Sequence, residues 1–268
     1  MSQEDILSAT QSDALMVDGL TVRTSPSFEQ RVLGQIDSKD TMYAGDREHY
    51  FRVGSSALRC IQSAAHIAHR ESFDSILDFP CGHGRVSRFL RAAFPSARLT
   101  VADIDQDAVD FCARTFGGTP IYSSNDTKQI QVDGSYDLIW CGSLLTHFDM
   151  TGCLEFLDFF RSILSLNGIL VFTMHGRLSA SWLRSRQCIY GLESENIPQL
   201  LKSYDTTGFG YSDYPGVQGY GISLTSPAWV LSQIEKMGDV RLLSYTEVGW
   251  DSHQDVVACI RTAENLKL

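Results

Sequence analysis

Between residues 75 and 175 the hydrophobic period of the chain switches again and again, and this alternation limits the fold more than any other feature. SILDF (75–79) is a short apolar run ending in a turn-rich segment, and it reads as a buried strand. In RVSRFLRAAF (85–94), Val86, Phe89, Leu90 and Ala93 fall at i, i+3, i+4 and i+7, one face of a helix. ARLTVADID returns to strand. DAVDFCARTF is helical again through Val109, Cys112, Ala113 and Phe116, and Gly117-Gly118 ends it. TPIYS, YDLIWC (136–141) and GILVFTMH (168–175) read as the third, fourth and fifth strands, with LEFLDFFRSIL (154–164) as the helix before the last. Strands separated by helices at this spacing specify a parallel sheet covered on both faces.

Toward the C-terminus, SPAWVLSQIEKMG is a helix whose Pro227 suits the first turn. VRLLSYTEV and DVVACIR follow with no helix between them, so they pair as an antiparallel hairpin. The expected fold is therefore α/β: a doubly wound, mostly parallel seven-stranded sheet with a C-terminal antiparallel hairpin and helices on both faces. Residues 1–70 form an N-terminal arm and helical cap, polar and weakly periodic to about 40, then helical from Tyr43 to His69. Residues 71–268 form the main domain. An insert at about 176–224 interrupts it, with Tyr204, Phe209, Tyr211, Tyr214 and Tyr220 among many glycines. Inserts of that length between strands commonly make lids or substrate walls.

Charge and cysteine usage exclude several function classes. The net charge is −10, with 22 basic against 32 acidic residues, and such a field repels a phosphate backbone. No nucleic-acid partner is expected. The seven cysteines are odd in number, widely spaced and without a CxxC pair, which argues against a disulfide framework or structural zinc. The acidic start MSQEDILSATQSD lacks an apolar signal run, and no stretch has the length of a membrane span. A cytoplasmic protein with no membrane partner is the expectation, and self-association as a dimer is left open.

The chemistry is concentrated at the end of the first strand. In an open α/β sheet, ligands bind at the carboxyl ends of the strands. Asp78 ends the first strand, and Gly82 and Gly84 follow, letting the backbone pass close to a ligand. Ser87 stands where a dinucleotide fingerprint has its third glycine or alanine. The charge of Asp78 would repel a pyrophosphate and welcome a cation. Asp103 closes the second strand, nineteen residues after Gly84, placed to accept hydrogen bonds from two ribose hydroxyls. A phosphate-free, cationic nucleoside suits both acids, and S-adenosylmethionine is that ligand.

At these residues the sequence resembles class I S-adenosylmethionine-dependent methyltransferases, whose first motif is D-x-G-x-G-x-G. Asp78, Pro80, Gly82 and Gly84 occupy those places, with proline for the first glycine. The resemblance implies that Asp103 binds the ribose, that Ile104 packs on the adenine and that Asn125 or Asp126 meets the adenine amino group. It also implies that Cys141-Gly142-Ser143 runs past the methionine portion, and that Tyr43, Arg47 or Arg52 reaches the methionine carboxylate. GSLLTHF and WDSHQDVVACIR look like strings of bacterial methyltransferases of glycan or secondary-metabolite pathways. The implied acceptor is a small molecule or glycan, methylated at oxygen. A hydroxyl acceptor needs a general base, and His147, His175 and His253 lie on the expected active face, with His147 and His175 favoured. A metal site from His175, His253 and Asp255 lacks tight ligand spacing, so no metal is expected. The rival readings are a non-catalytic relative that binds the nucleoside and regulates a partner, and an NAD(P)-dependent oxidoreductase.

Overall fold

The computed structural model describes residues 15–17, 20–22 and 26–263. The expectation for the first residues of the arm lies mostly outside them. A two-stranded hairpin, Leu15–Val17 with Leu20–Val22, and a short helix, Pro26–Arg31, precede the main domain. Helix α1 (Arg47–Ile67) follows, and the chain then alternates. It runs β1 (Ser75–Asp78), α2 (Ser87–Ala93), β2 (Arg98–Asp103), α3 (Gln106–Phe116), β3 (Thr119–Tyr122) and β4 (Tyr136–Cys141). Helix α4 (Met150–Ile163) and β5 (Leu164–Met174) complete the alternating part. Helices α5 (Arg177–Ser185) and α6 (Ile197–Thr207) and the hairpin β6 (Phe209–Asp213) and β7 (Gly221–Thr225) make up the insert. Helix α7 (Pro227–Lys236) leads into β8 (Val240–Trp250) and β9 (Gln254–Arg261).

The sheet has seven strands in the order β3-β2-β1-β4-β5-β9-β8. Strands β1 to β5 are parallel, and β9 runs antiparallel to both β5 and β8. The strand order reverses between β1 and β4, which opens a crevice at their carboxyl ends.

Each central strand sends alternate side chains to opposite faces, so one apolar run feeds two cores. Ile76, Leu99, Val101, Leu138, Val171 and Val256 pack on one face beneath α1, α2 and α3. Leu77, Ala102, Ile139, Leu170, Phe172 and Val257 pack on the other against α4 and α7. The helices start where capping side chains can accept free N–H groups. Asp46, Asp105, Asp149 and Ser226 accept from the backbone N–H three residues on, and Pro227 opens α7. Gly117 closes α3 in the left-handed conformation, at φ 65°.

The fifth strand departs from expectation. The spacing predicts a start at Gly168, but β5 begins at Leu164 opposite Tyr136 and resumes pairing at Ile169 opposite Leu138. Residues 165–168 bulge outward, with Asn167 at φ 60°. A Cβ on Gly168 would lie 2.8 Å from the carbonyl oxygens of Ser165 and Tyr136, so only glycine closes that bulge.

Candidate functional site

The crevice between β1 and β4 opens into a cleft of about 600 Å³, a size that suits a small-molecule ligand. The turn after β1 forms its floor. Gly82 (φ 47°) and Gly84 (φ 80°) both sit at positive φ, and the two glycines serve different needs. A Cβ on Gly82 would project into open space, so that backbone is free to face a ligand. A Cβ on Gly84 would come within 2.1 Å of the Phe116 ring, so that glycine lets α2 pack on α3.

Two carboxylates frame the turn. Asp103 accepts from Gly82 N at 2.8 Å through Oδ2 and from Asp105 N at 3.0 Å through Oδ1. Each oxygen keeps further acceptor capacity toward the cleft. Asp78 is fully buried, and Ser87 donates to its Oδ2. Its Oδ1 has no partner among the described residues. Burial pushes the Asp78 carboxyl up to about 7, and Asp103 adds to the rise while the Ser87 bond opposes it.

The rest of the cleft comes from three other parts of the chain. Residues 33–42 form a strap that brings Asp40, Thr41 and Met42 to the rim. The buried Arg88 pins it, donating to the carbonyls of Leu33 (2.8 Å), Gln35 (2.7 Å) and Gly84 (2.9 Å). Asp40 accepts from Tyr50 Oη at 2.5 Å. The loop after β4 supplies Ser143, Leu144, His147 and Phe148. Ser143 holds φ 64°, a costly conformation for a residue with a side chain, fixed by Thr173 and Gln254 beneath it. The insert supplies Val217 and Tyr220 from the β6–β7 loop.

The insert is fastened by backbone to this loop and to the end of β5. Gly221 N donates to His147 O (2.9 Å), Ser223 N to Thr146 O (2.8 Å) and Thr225 N to His175 O (2.9 Å). The His147 ring lies between them, with Nδ1 at 2.9 Å from the Gly221 carbonyl and its face on Tyr220, ring centroids 4.9 Å apart. A carbonyl only accepts, so Nδ1 carries the proton and Nε2 keeps its lone pair. Burial lowers the His147 imidazole below its ordinary value, opposed by the Gly221 bond.

Of the residues singled out in the sequence, Pro80, Gly82, Asp103, Ile104, Asn125, Gly142, Ser143, His147 and Tyr220 line the cleft. The others sit elsewhere. Asp126 caps the short turn at Thr127–Gln129 by accepting from Lys128 N at 3.1 Å. Cys141 is fully buried in the core. Tyr43 packs edge-on against Tyr50, and its hydroxyl faces Gly45 O. Arg52 is exposed beside His49 and Asp251. His175 is buried, its ring against Tyr190 and His253, and His253 stacks on both Tyr190 and Trp182 of the insert. Burial first, then the two neighbouring histidines, hold His175 well below the ordinary imidazole value.

Arg85, Met42, Val217 and Trp250 line the cleft without having been singled out in the sequence. Arg85 had a legible signal, since it follows Gly84 directly, and its guanidinium lies 5.8 Å from the Trp250 ring centroid. Met42 and Val217 reach the cleft only through the strap and the insert loop, which no local pattern reveals.

A family model described as a methyltransferase domain matches residues 77–170, the segment from β1 into β5 that builds the glycine turn, Asp103 and the His147 loop. That segment is similar to a methyltransferase domain. The fold is also that of solved methyltransferases. One is an S-adenosylmethionine-dependent methyltransferase from Clostridium acetobutylicum (14% identity, TM-score 0.54, covering 83% of this chain and 94% of that one). A second is the plantazolicin methyltransferase BpumL, solved with a monoazolic desmethylPZN analog and S-adenosylhomocysteine (16%, TM-score 0.57, 83% and 88%). A third is the amino pentose methyltransferase CalS10 of calicheamicin biosynthesis from Micromonospora echinaspora (13%, TM-score 0.51, 77% and 92%). At these identities the likeness is one of fold. No curated protein matches the chain by sequence. Among the described residues no helix is long and apolar enough to cross a membrane.

Proposed function

We propose that this chain is an S-adenosylmethionine-dependent methyltransferase that methylates a hydroxyl on a small-molecule or glycan acceptor. The observation that carries this reading is the glycine turn held between Asp78 and Asp103 at the strand-order reversal. The residues present fit the cofactor. Asp103 offers acceptor capacity for two ribose hydroxyls, Ile104 is exposed to cover the adenine and Asn125 stands at the adenine end. The unpartnered Oδ1 of Asp78 supplies negative potential behind the turn, and Gly82 leaves room for close approach. In place of Tyr43 or Arg52, the geometry favours Arg85 as the cation for the methionine carboxylate.

When bound, the cofactor supplies an activated methyl group on a sulfonium that is already a good leaving group, so the protein's task is proximity and alignment. His147 takes the acceptor proton at Nε2, because Gly221 fixes the other tautomer position and burial keeps the ring neutral. The insert walls the acceptor through Tyr220 and Val217. The acid before the glycines, Asp78, together with Ser87 in place of a third glycine and the closing antiparallel pair, disfavours the dinucleotide reading.

Calorimetric titration of S-adenosylmethionine into wild type and Asp103→Ala tests the reading. Binding by the wild type and its loss or severe weakening in the variant is the expected result. Equal, negligible heats for both would sink it.

A further inference from the structure

The charges lining the cleft are unevenly placed. Its full charges are the carboxylates of Asp40, Asp103 and Asp105 and the guanidinium of Arg85. Asp40, Asp103, Asp105 and Arg85 all belong to the strap, the glycine turn and the end of β2. The half built by the loop after β4, by α4 and by the insert loop carries no full charge. It presents Leu144, His147, Phe148, Phe156, Val217 and Tyr220. Four large apolar side chains on the cleft are open to water: Ile104 (59% exposed), Met42 (57%), Val217 (46%) and Tyr220 (38%). Ile104 lies at the adenine end. Met42, Val217 and Tyr220 remain to be covered by something else, because exposed apolar surface grouped at a cleft marks a binding face.

The field on that face is negative. After burial, the Asp103 carboxylate is what raises the Tyr220 phenol, so its charge is felt at the insert loop. The chain as a whole carries −10. An anionic group seated there would lose water without gaining a cation, in a field of its own sign. Such a site rejects anions by leaving them unpaired.

We infer that the acceptor half of the cleft, between the insert loop at Val217–Tyr220 and the strap at Met42, takes an uncharged, hydroxyl-bearing ring and excludes acceptors with a phosphate or carboxylate on that ring. The ring lies against Tyr220 and Val217, and its hydroxyl meets His147 Nε2. Sugar phosphates, nucleotide-linked sugars and hydroxy acids are outside this class, whereas neutral phenols and neutral glycosides are inside it. The inference rests on the methyltransferase reading above.

Matched pairs of probes test it in protein saturated with S-adenosylhomocysteine. Saturation-transfer NMR and calorimetry would compare methyl 4-hydroxybenzoate with 4-hydroxybenzoate, and methyl glucoside with glucuronate. At least one neutral probe should bind, and it should bind about tenfold or more tightly than its anionic twin. Val217→Lys, at an exposed position, should shrink or reverse that preference by adding a cation. Equal or tighter binding of the anionic twin overturns the inference, as does no binding by either neutral probe. A preference that Val217→Lys leaves unmoved overturns the placement of the ring at the insert loop. Failure of S-adenosylhomocysteine itself to bind would instead strike the methyltransferase reading, so the two failures are distinguishable.

Discussion

Two side chains carry most of the chemical expectation. His147 has its tautomer set by the Gly221 carbonyl, and burial keeps its imidazole below the ordinary value. Since the neutral ring is the active form, kcat/KM should rise with pH through a pKa below about 6.5 and stay level above it. His147→Asn should lower kcat/KM about a hundred- to ten-thousand-fold with cofactor affinity intact, measured as label transferred from the cofactor. A loss under about twofold would remove His147 from the reaction. Asp78 reports on the cofactor differently. With its carboxyl pushed up to about 7, it holds a fraction of a proton at neutral pH when no cation is near. A sulfonium close by favours the charged form, so binding should release between roughly half a proton and one proton at about pH 6 to 7. Calorimetry in buffers of different ionisation enthalpy reads that release, and it should vanish in Asp78→Asn.

Among the elements, the crossing of α1 over α2 constrains the site closely. A Cβ on Gly54 would lie 2.2 Å from Arg85 O and 2.6 Å from the Phe89 ring. Helix propensity alone would make Gly54→Ala stabilising by about 1 kcal/mol. The clash is with backbone at the glycine turn, and overpacking of this kind costs about 1–3 kcal/mol. Gly54→Ala should therefore lose stability in urea denaturation, and cofactor affinity should fall because Arg85 and the turn are displaced. A more stable variant would show that the contact relaxes freely. Most elements were legible in the sequence because each signal is local: the 3.6 period of α2 and α3, the apolar runs of β1 and β4, the glycine that stops α3. The start of β5 was not, since the bulge at 165–168 exists only in register with Tyr136 on another strand.

For the molecule as a whole, the cleft joins segments far apart in the chain, so filling it ties them together. The strap at 33–42, the loop after β4 and the insert loop each reach the cleft, and none is held by the central sheet alone. A ligand present at a hundred times its Kd adds about 2.7 kcal/mol of stability. For a chain of this size that corresponds to a Tm rise of about 5–10 °C. S-adenosylhomocysteine should produce it in thermal melts of the wild type and not of Asp103→Ala. An equal rise in both would place the ligand away from Asp103.

The sequence by itself determined the alternating sheet, the glycine turn and the two framing acids, because each is written in residues close together and obeys a local rule. It also brought His147 forward as one of three histidines on the active face. Only the tertiary structure separated them: His147 faces the cleft, His175 is walled in at the root of the insert, and His253 stacks among insert aromatics. It also put Arg85 rather than Tyr43 or Arg52 at the cleft, and turned Tyr220 and Val217 into its far wall. The physical reason is common to all of these. Which face of a loop meets a ligand is decided by backbone hydrogen bonds to distant strands and by the volume the core leaves free, and neither has a period in the sequence.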